Sequence, residues 1–189
     1  MAEQPLLVTP SQTVGPYFRL GLCWLCRTEP ALPEGAGRLT LRGRVLDGDG
    51  RPVDDALLEA WQAGLSGRYP VPADGPQLTG FARVATDATG AFSLMTYKPG
   101  RVAGPDGRLQ APHLAVNVFM RGLLRHLVTR VYFPDEAEAN AADPVLALVE
   151  PDRRRTLVAR AVVGGGLAWD VVLQGPSETV FFETGGEGP

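Results

Sequence analysis

The sequence lacks several features that would place it in common functional classes. Its formal net charge is -3 and its pI is about 5.4, which argues against a nucleic-acid partner because such a partner requires a basic face. No stretch approaches the 18 or more apolar residues of a membrane span. The first ten residues have neither the basic start nor the apolar run of a signal peptide. We therefore predict a cytoplasmic protein that binds neither nucleic acid nor membrane.

Cysteine and histidine are also scarce, with two residues of each. Cys23 and Cys26 form C-W-L-C, but a redox motif opens a helix after a strand, whereas this pair precedes a loop rich in Pro and Gly. Structural zinc needs two more ligands, and His113 and His126 have no paired spacing. We interpret the cysteines as two reduced thiols in an apolar patch, with no assigned role.

The composition indicates one domain built from many short elements. The chain is 44% hydrophobic and 21% charged, and its 23 glycines and 17 prolines supply frequent turns. Short runs rich in Val, Thr and aromatic residues alternate with clusters of Gly, Pro and Asp. The predicted strands are 39–46, 57–63, 91–97, 113–120, 127–133, 156–163, 169–175 and 179–182. This pattern predicts an all-β fold, a single-domain β-sandwich of short, mostly antiparallel strands.

Little helix is predicted. The acidic run 135–142 follows a proline and has a first turn suited to the helix dipole, and residues 152–156 are predicted to add one helical turn. Residues 1–38 are interpreted as an extended N-terminal arm with a loop, and residues 39–189 as the sandwich. No internal repeat or linker divides the chain into two domains.

The arm contains the most distinctive segment, T-P-S-Q-T-V-G-P-Y-F at 9–18. Pro10 and Pro16 fix the backbone φ angle, and Gly15 permits a close approach to the backbone. Short hydrogen-bonding side chains stand between them at 11–13. Such a segment suits the wall of a binding pocket or an ordinary pinned arm, and these residues alone leave both interpretations open.

Three further segments, together with the arm, resemble the signature blocks of intradiol ring-cleaving dioxygenases. They are R-V-L-D-G-D-G-R-P-V-D-D-A-L-L-E-A-W-Q-A-G-L-S-G-R-Y, G-F-A-R-V-A-T-D-A-T-G-A-F-S-L-M-T-Y-K-P-G and A-P-H-L-A-V-N-V-F, and the likeness covers nearly all of residues 9–183. Members of that family open the ring of a catechol with dioxygen, between the two hydroxyl-bearing carbons. The resemblance implies a ferric ion held by two tyrosines and two histidines.

Carried over position by position, the resemblance gives an incomplete ligand set. Tyr69 and His113 match the first tyrosine and the first histidine, whereas Val102 and Ala115 stand where the second of each is expected. Gln110 stands where catalytic members have an arginine, which predicts that a cationic group near the substrate is lost. Two of four ligands would bind iron weakly. The resemblance thus implies no metal and no catalytic residue in this chain, with Tyr69 and His113 as hydrogen-bonded structural residues.

The arm resembles that of the noncatalytic α chain of two-chain family members. In those enzymes the β chain holds Fe(III), α–β heterodimers assemble into oligomers, and the α-chain arm borders the partner's pocket. The resemblance implies that Thr13, Gly15 and Pro16 contact a small aromatic substrate. It also implies that the Arg121 guanidinium meets the substrate carboxylate, with a solvated arginine at a strand end as the alternative.

Two other functions stay open from the sequence. The first is a self-sufficient intradiol dioxygenase with altered ligands, which metal analysis of the pure chain would identify because a tyrosinate–ferric protein is red-brown. The second is a transthyretin-like β-sandwich binding module without enzymatic activity. The arm argues against the second, because a plain sandwich has no use for such a segment.

Overall fold

Two β-sheets pack face to face in the structure, a computed structural model that describes residues 9–29, 32–70 and 80–183. The strands are β1 (Leu39–Leu46), β2 (Leu57–Trp61), β3 (Phe81–Ala85), β4 (Ala91–Thr96), β5 (Val102–Ala103), β6 (Leu109–Gln110), β7 (His113–Phe119), β8 (Leu127–Tyr132), β9 (Arg160–Ala161), β10 (Leu167–Ala168) and β11 (Val171–Val172).

The first sheet is built around β1, which pairs antiparallel with β4 and parallel with β10 and β11. β9 extends this sheet beyond β10. The second sheet has the order β3-β2-β7-β8 and is antiparallel throughout. β5 and β6 form a separate antiparallel ribbon. The predicted all-β sandwich of short, mostly antiparallel strands is confirmed.

The inner faces of the two sheets share one hydrophobic core. Leu41 and Val45 of β1 pack there with Leu58 of β2 and with Val116 and Val118 of β7, all at most 2% exposed. Successive side chains of a strand point to opposite faces. The residues of β2, β7 and β8 that alternate with these core residues therefore lie on the outer face of the second sheet.

That outer face carries the positions that were matched to metal ligands on β7. Cross-strand pairing puts Trp61, Ala115 and Arg130 in one row and His113 and Tyr132 in the next. Residues directly opposite each other in antiparallel strands share a face. The candidate site thus lies on the outer face of the second sheet, outside the core between the two sheets.

The N-terminal arm is partly helical, which corrects the prediction of an extended arm. Residues 9–14 have no regular structure, but α1 (Gly15–Leu22) is an α-helix that continues into a 3₁₀ helix at Cys23–Leu25. Gly15 has a φ of 67°, which glycine adopts without strain. Pro16 lies in the first turn, where the missing N–H costs no hydrogen bond. This proline was the sequence signal for a helix start.

The two other helical predictions are confirmed. α2 (Ala137–Ala141) lies within the predicted helix 135–142, and a 3₁₀ helix at Arg154–Thr156 lies within 152–156. No helix in the described ranges has the length and apolar character needed to cross a membrane.

The last part of the chain contains less strand than predicted. Only β9 is strand within 156–163, because the Thr156 hydroxyl donates to the Arg153 carbonyl at 2.9 Å and favours a turn over sheet pairing. Only β11 is strand within 169–175, and 179–182 runs beside β8 without forming a strand. β3, β5, β6 and β10 lie outside the predicted strands.

Candidate functional site

Arg130 of β8 lies at the centre of the positions matched to metal ligands. Ala115 is directly opposite Arg130 across the β7–β8 pair. Val102 pairs with Gln110 across the β5–β6 ribbon, and the Gln110 Oε1 accepts a hydrogen bond of 2.6 Å from Arg130 Nη1. Nη1 also approaches the Tyr132 hydroxyl at 3.4 Å. A half-buried guanidinium therefore occupies this part of the outer face.

This guanidinium lies beside Gln110, the position at which the resemblance predicts the loss of an arginine. Arg130 of β8, a strand of another sheet, brings a positive charge to this position through its hydrogen bond to Gln110. The loss of a cationic group near the substrate stays a prediction. Alternation along L-V-T-R-V-Y places Arg130 and Tyr132 on one face. The sequence does not give the register that sets this face against His113 and Ala115.

The residues at these positions do not fit a ferric ion. Val102 and Ala115 have no donor atom for a metal. Arginine stays protonated in proteins, so the charge of Arg130 would repel a cation held beside it. The arrangement is a hydrogen-bonded polar cluster with its own fixed positive charge.

Tyr69, the match to the first tyrosine ligand, packs as an aromatic side chain. Its ring stacks on Trp61 with centroids 6.1 Å apart and planes 7° apart. Burial raises the pKa of the Tyr69 hydroxyl, and the charge of Arg130 only partly opposes this. The Tyr69 phenol therefore stays protonated at neutral pH.

His113, the match to the first histidine ligand, is only 2% exposed. Its Nδ1 donates to the Ala111 carbonyl at 2.8 Å, and its ring lies 5.7 Å from the ring of Tyr132. Burial, reinforced by the charge of Arg130, lowers the pKa of His113 from 6.5 to about 4. His113 is thus neutral at pH 7 and hydrogen-bonded to the backbone, and its purely structural role stays a prediction.

We expect the stability of the chain to fall as the pH is lowered from about 6.5 to about 4, because of His113. In this interval the unfolded chain binds a proton on the histidine and the folded chain does not, which favours unfolding. The full shift corresponds to at most about 3 kcal/mol. Denaturant titrations at pH 7 and 4.5 should show a weaker pH dependence for His113→Gln than for the parent chain. The exposed His126→Gln is the control, and an unchanged pH dependence in His113→Gln would contradict the assignment.

Asp143 is 0% exposed and hydrogen-bonds to Tyr132 of the cluster around Arg130. Its carboxylate accepts hydrogen bonds from the backbone N–H groups of Ala111 at 2.6 Å and of Val145 and Leu146 at 2.8 Å. It also accepts one from the Tyr132 hydroxyl at 3.3 Å. The contacts to Val145 and Leu146 form an Asx turn that leads into the 3₁₀ helix Leu146–Leu148. Sequence reasoning missed Asp143, although Asp is a residue that favours such turns.

Two of the residues predicted to contact substrate, Thr13 and Arg121, lie at the connection between β7 and β8. Thr13 of the arm accepts a hydrogen bond of 2.8 Å at its hydroxyl oxygen from the backbone N–H of Gly122. Gly122 has a φ of 89°, in the region that favours glycine. The structure thereby brings the arm beside Arg121, while Gly15 and Pro16 follow at the start of α1. Their contact with a substrate stays a prediction.

Arg121 is held by two acidic side chains of the loop before β2. Its Nε lies 3.4 Å from Asp55 Oδ2 and its Nη2 lies 3.6 Å from Asp54 Oδ1. The backbone N–H of Arg121 also donates to Asp55 Oδ2 at 3.4 Å. The Arg121 side chain is nevertheless 59% exposed, so it remains accessible to an anion.

A groove of about 750 Å³ opens next to the contact between arm and loop. It is lined by Val14, Phe119, Leu124, Arg125, His126, Leu127, Val128, Phe181, Phe182 and Glu183. Inside it, the rings of Phe119 and His126 stack with centroids 5.1 Å apart. The groove thus offers an apolar, partly aromatic surface bordered by the arm.

The arm is anchored to the sandwich but leaves much apolar surface uncovered. Phe18 packs on Phe119 with centroids 5.2 Å apart, and Arg19 Nη2 donates to the Thr86 carbonyl at 2.7 Å. None of the α1 residues, all of which the structure describes, is buried. The large apolar side chains that α1 and the 3₁₀ helix expose most are Tyr17 at 81%, Trp24 at 78% and Leu20 at 60%.

The two cysteines are free thiols at the end of this helical segment. Cys23 is exposed and Cys26 is half-buried. Burial, together with the neighbouring Cys23, raises the pKa of the Cys26 thiol, which makes it less reactive. The interpretation as two thiols without an assigned role is unchanged.

Comparison with known proteins gives consistent matches. A family model described as dioxygenase matches residues 25–175. The chain is 49% identical over 194 residues to the protocatechuate 3,4-dioxygenase alpha chain of Burkholderia cepacia, covering 93% of this chain and 96% of that protein. It is 33% identical over 160 residues to the beta chain from the same organism, covering 75% and 66%.

Among solved structures, the dioxygenase domain of a dioxygenase and carbohydrate-binding protein fusion from Streptomyces sp. SirexAA-E matches with a TM-score of 0.60 and 25% identity. The match covers 95% of this chain and 97% of that domain.

Proposed function

This chain belongs to the intradiol ring-cleaving dioxygenase family, and on that premise we propose that it is the noncatalytic alpha subunit of a protocatechuate 3,4-dioxygenase. The family is iron-dependent. We infer that a beta subunit holds the Fe(III), and that alpha–beta heterodimers assemble into a larger oligomer. The assembled enzyme cleaves protocatechuate with dioxygen to 3-carboxy-cis,cis-muconate. The cytoplasmic location predicted from the sequence is part of this proposal.

The replacement of the metal site by Arg130 carries the proposal. Of the four positions matched to iron ligands, Val102 and Ala115 have no donor atom for a metal, which leaves at most Tyr69 and His113 as ligands. A chain that retains the dioxygenase fold without its metal-binding chemistry needs a catalytic partner. This argues against a self-sufficient dioxygenase with altered ligands. Family membership, in turn, disfavours a transthyretin-like binding module.

In the proposed complex this chain binds and orients the substrate and does not transfer electrons or protons. Thr13, Gly15 and Pro16 supply a short, rigid wall of small groups beside the ring. Arg121 supplies a positive charge for the carboxylate that lies away from the two hydroxyl groups. The chemistry of ring opening belongs to the iron of the partner.

The uncovered surface of the arm supports an obligate partner. Tyr17, Leu20 and Trp24 expose most of their apolar area on one short segment, and aromatic side chains are enriched at protein interfaces. Obligate interfaces commonly bury 2,000 Å² or more. We expect the beta subunit to cover this segment and the isolated chain to self-associate.

Co-expression with a protocatechuate 3,4-dioxygenase beta chain should yield a complex that consumes oxygen with protocatechuate, whereas this chain alone should not. The physical reason is that the partner holds the metal site and this chain completes the pocket wall. Oxygen uptake and size-exclusion chromatography of each chain and of the complex measure the two effects. The complex with Arg121→Ala separates the two effects, because it should still assemble although its pocket lacks the Arg121 guanidinium.

Two results would contradict the proposed function. One is oxygen uptake with protocatechuate by this chain alone after removal of adventitious iron. The other is a pair of chains that remain separate monomers at high concentration.

A further inference from the structure

We propose that Asp54 is a specificity-determining residue, because it is the resting counter-ion of Arg121 that the substrate carboxylate must displace. The inference rests on the proposed role of Arg121 in substrate binding. It adds that an acidic side chain of this same chain competes with the substrate for the guanidinium. Asp55, the other acidic contact of Arg121, has a different role and keeps the arginine in place.

Burial separates the roles of the two aspartates. The side chain of Asp55 is only 11% exposed, and its Oδ2 contacts both the Nε and the backbone N–H of Arg121. These two contacts fix the loop and the base of the side chain. Asp54 is 58% exposed and reaches only the outer Nη2 at 3.6 Å. A long, exposed contact of this kind contributes little stability and exchanges readily.

The competition between Asp54 and the substrate carboxylate follows from which nitrogen atoms of the Arg121 guanidinium have an acidic contact. Within the described residues, no hydrogen bond or ion pair of Arg121 involves Nη1. A carboxylate that binds an arginine end-on uses Nη1 together with Nη2. Asp55 on Nε is compatible with this geometry, whereas Asp54 occupies one of the two atoms required. The substrate carboxylate therefore gains its second hydrogen bond only after Asp54 has moved away.

The negative charge of Asp54 also opposes binding of the substrate carboxylate to Arg121. Two acidic side chains flank one arginine at this place, so an approaching anion meets a negative neighbour as well as the guanidinium. Removal of the Asp54 charge should strengthen the attraction for a carboxylate. It should do nothing for a ring that has no carboxylate, and the difference should shrink at high salt.

The test uses Asp54→Asn in the co-expressed complex. We expect kcat/KM for protocatechuate to rise about 2- to 5-fold through a lower KM with kcat unchanged, consistent with the size of exposed charge interactions. For catechol, which lacks the carboxylate, kcat/KM should be unchanged. Asp49→Asn is the matched control, because Asp49 is an exposed aspartate that pairs with Arg51 on a separate turn. It should have no effect on either substrate.

The complex with Arg121→Ala distinguishes the inference about Asp54 from the proposed role of Arg121. Its kcat/KM for protocatechuate should fall roughly 5- to 150-fold with little change for catechol, and adding Asp54→Asn should then have no further effect. If Arg121→Ala behaves in this way and Asp54→Asn does not raise kcat/KM for protocatechuate, the inference about Asp54 is wrong and the proposed function stands. Equal losses on both substrates in Arg121→Ala overturn the role of Arg121 and the inference with it. A complex without oxygen uptake overturns the proposed function itself.

Discussion

Asp143→Ala is expected to lower the free energy of unfolding by about 3 to 5 kcal/mol, the largest stability effect of any single substitution considered in this chain. The carboxylate is fully buried and accepts from three backbone N–H groups and the Tyr132 hydroxyl. Alanine leaves these donors buried without a partner, and each unpaired donor costs about 1 to 3 kcal/mol. The Asx turn that leads into the 3₁₀ helix Leu146–Leu148 is lost as well.

Chemical denaturation of the parent chain, Asp143→Ala and Asp143→Asn measures the effect. Asn keeps one acceptor oxygen, so its loss should be intermediate. Asp152→Ala is the matched control, because Asp152 is an exposed aspartate nine residues further along and should change stability by no more than about 0.5 kcal/mol. A loss below about 1 kcal/mol in Asp143→Ala would show that the network is not important for stability.

Restoring the two missing ligands by Val102→Tyr and Ala115→His is expected to leave the chain without iron as long as Arg130 is present. Arg130 lies directly opposite position 115 and is hydrogen-bonded to Gln110 opposite position 102. Its permanent charge opposes a cation between these positions. When Arg130→Gln is added, the repulsion is removed and the two new ligands can act with Tyr69 and His113.

Iron content per chain and the visible absorbance of a tyrosinate–ferric centre measure this prediction. Iron and colour are expected only in the triple variant, at close to one iron per chain, and not in the parent or in the double variant. Arg125→Gln, which removes an exposed arginine, controls for the change in net charge when it replaces Arg130→Gln. Stoichiometric iron in the double variant would show that Arg130 does not decide metal binding.

The sequence was sufficient where one local pattern determined the structure. Alternation in L-T-L-R-G-R-V-L predicted β1 with the bounds that the structure gives. The short strands near the end of the chain were harder, because Thr156 satisfies its hydroxyl locally and β10 and β11 are two residues long. A pattern of that length carries almost no periodicity.

The candidate site, too, could be predicted only in part from the sequence. The losses at Val102 and Ala115 were implied by the resemblance to the family, since the matched positions need only the residue type to show that no donor atom is present. The role of Arg130 was not, because it depends on the register between β7 and β8, which sequence spacing does not fix. The contact of Thr13 with Gly122 spans 109 positions, and no local rule connects residues so far apart.

Arg130 also has a consequence for the biosynthesis of the protein. A metal ion has to be taken up from solution, whereas a guanidinium is part of the polypeptide itself. The link that Arg130 makes from β8 to Gln110 at the end of β6 is therefore complete without a loading step. Under the proposed function, this chain therefore folds without iron, and only the maturation of its partner depends on the supply of metal.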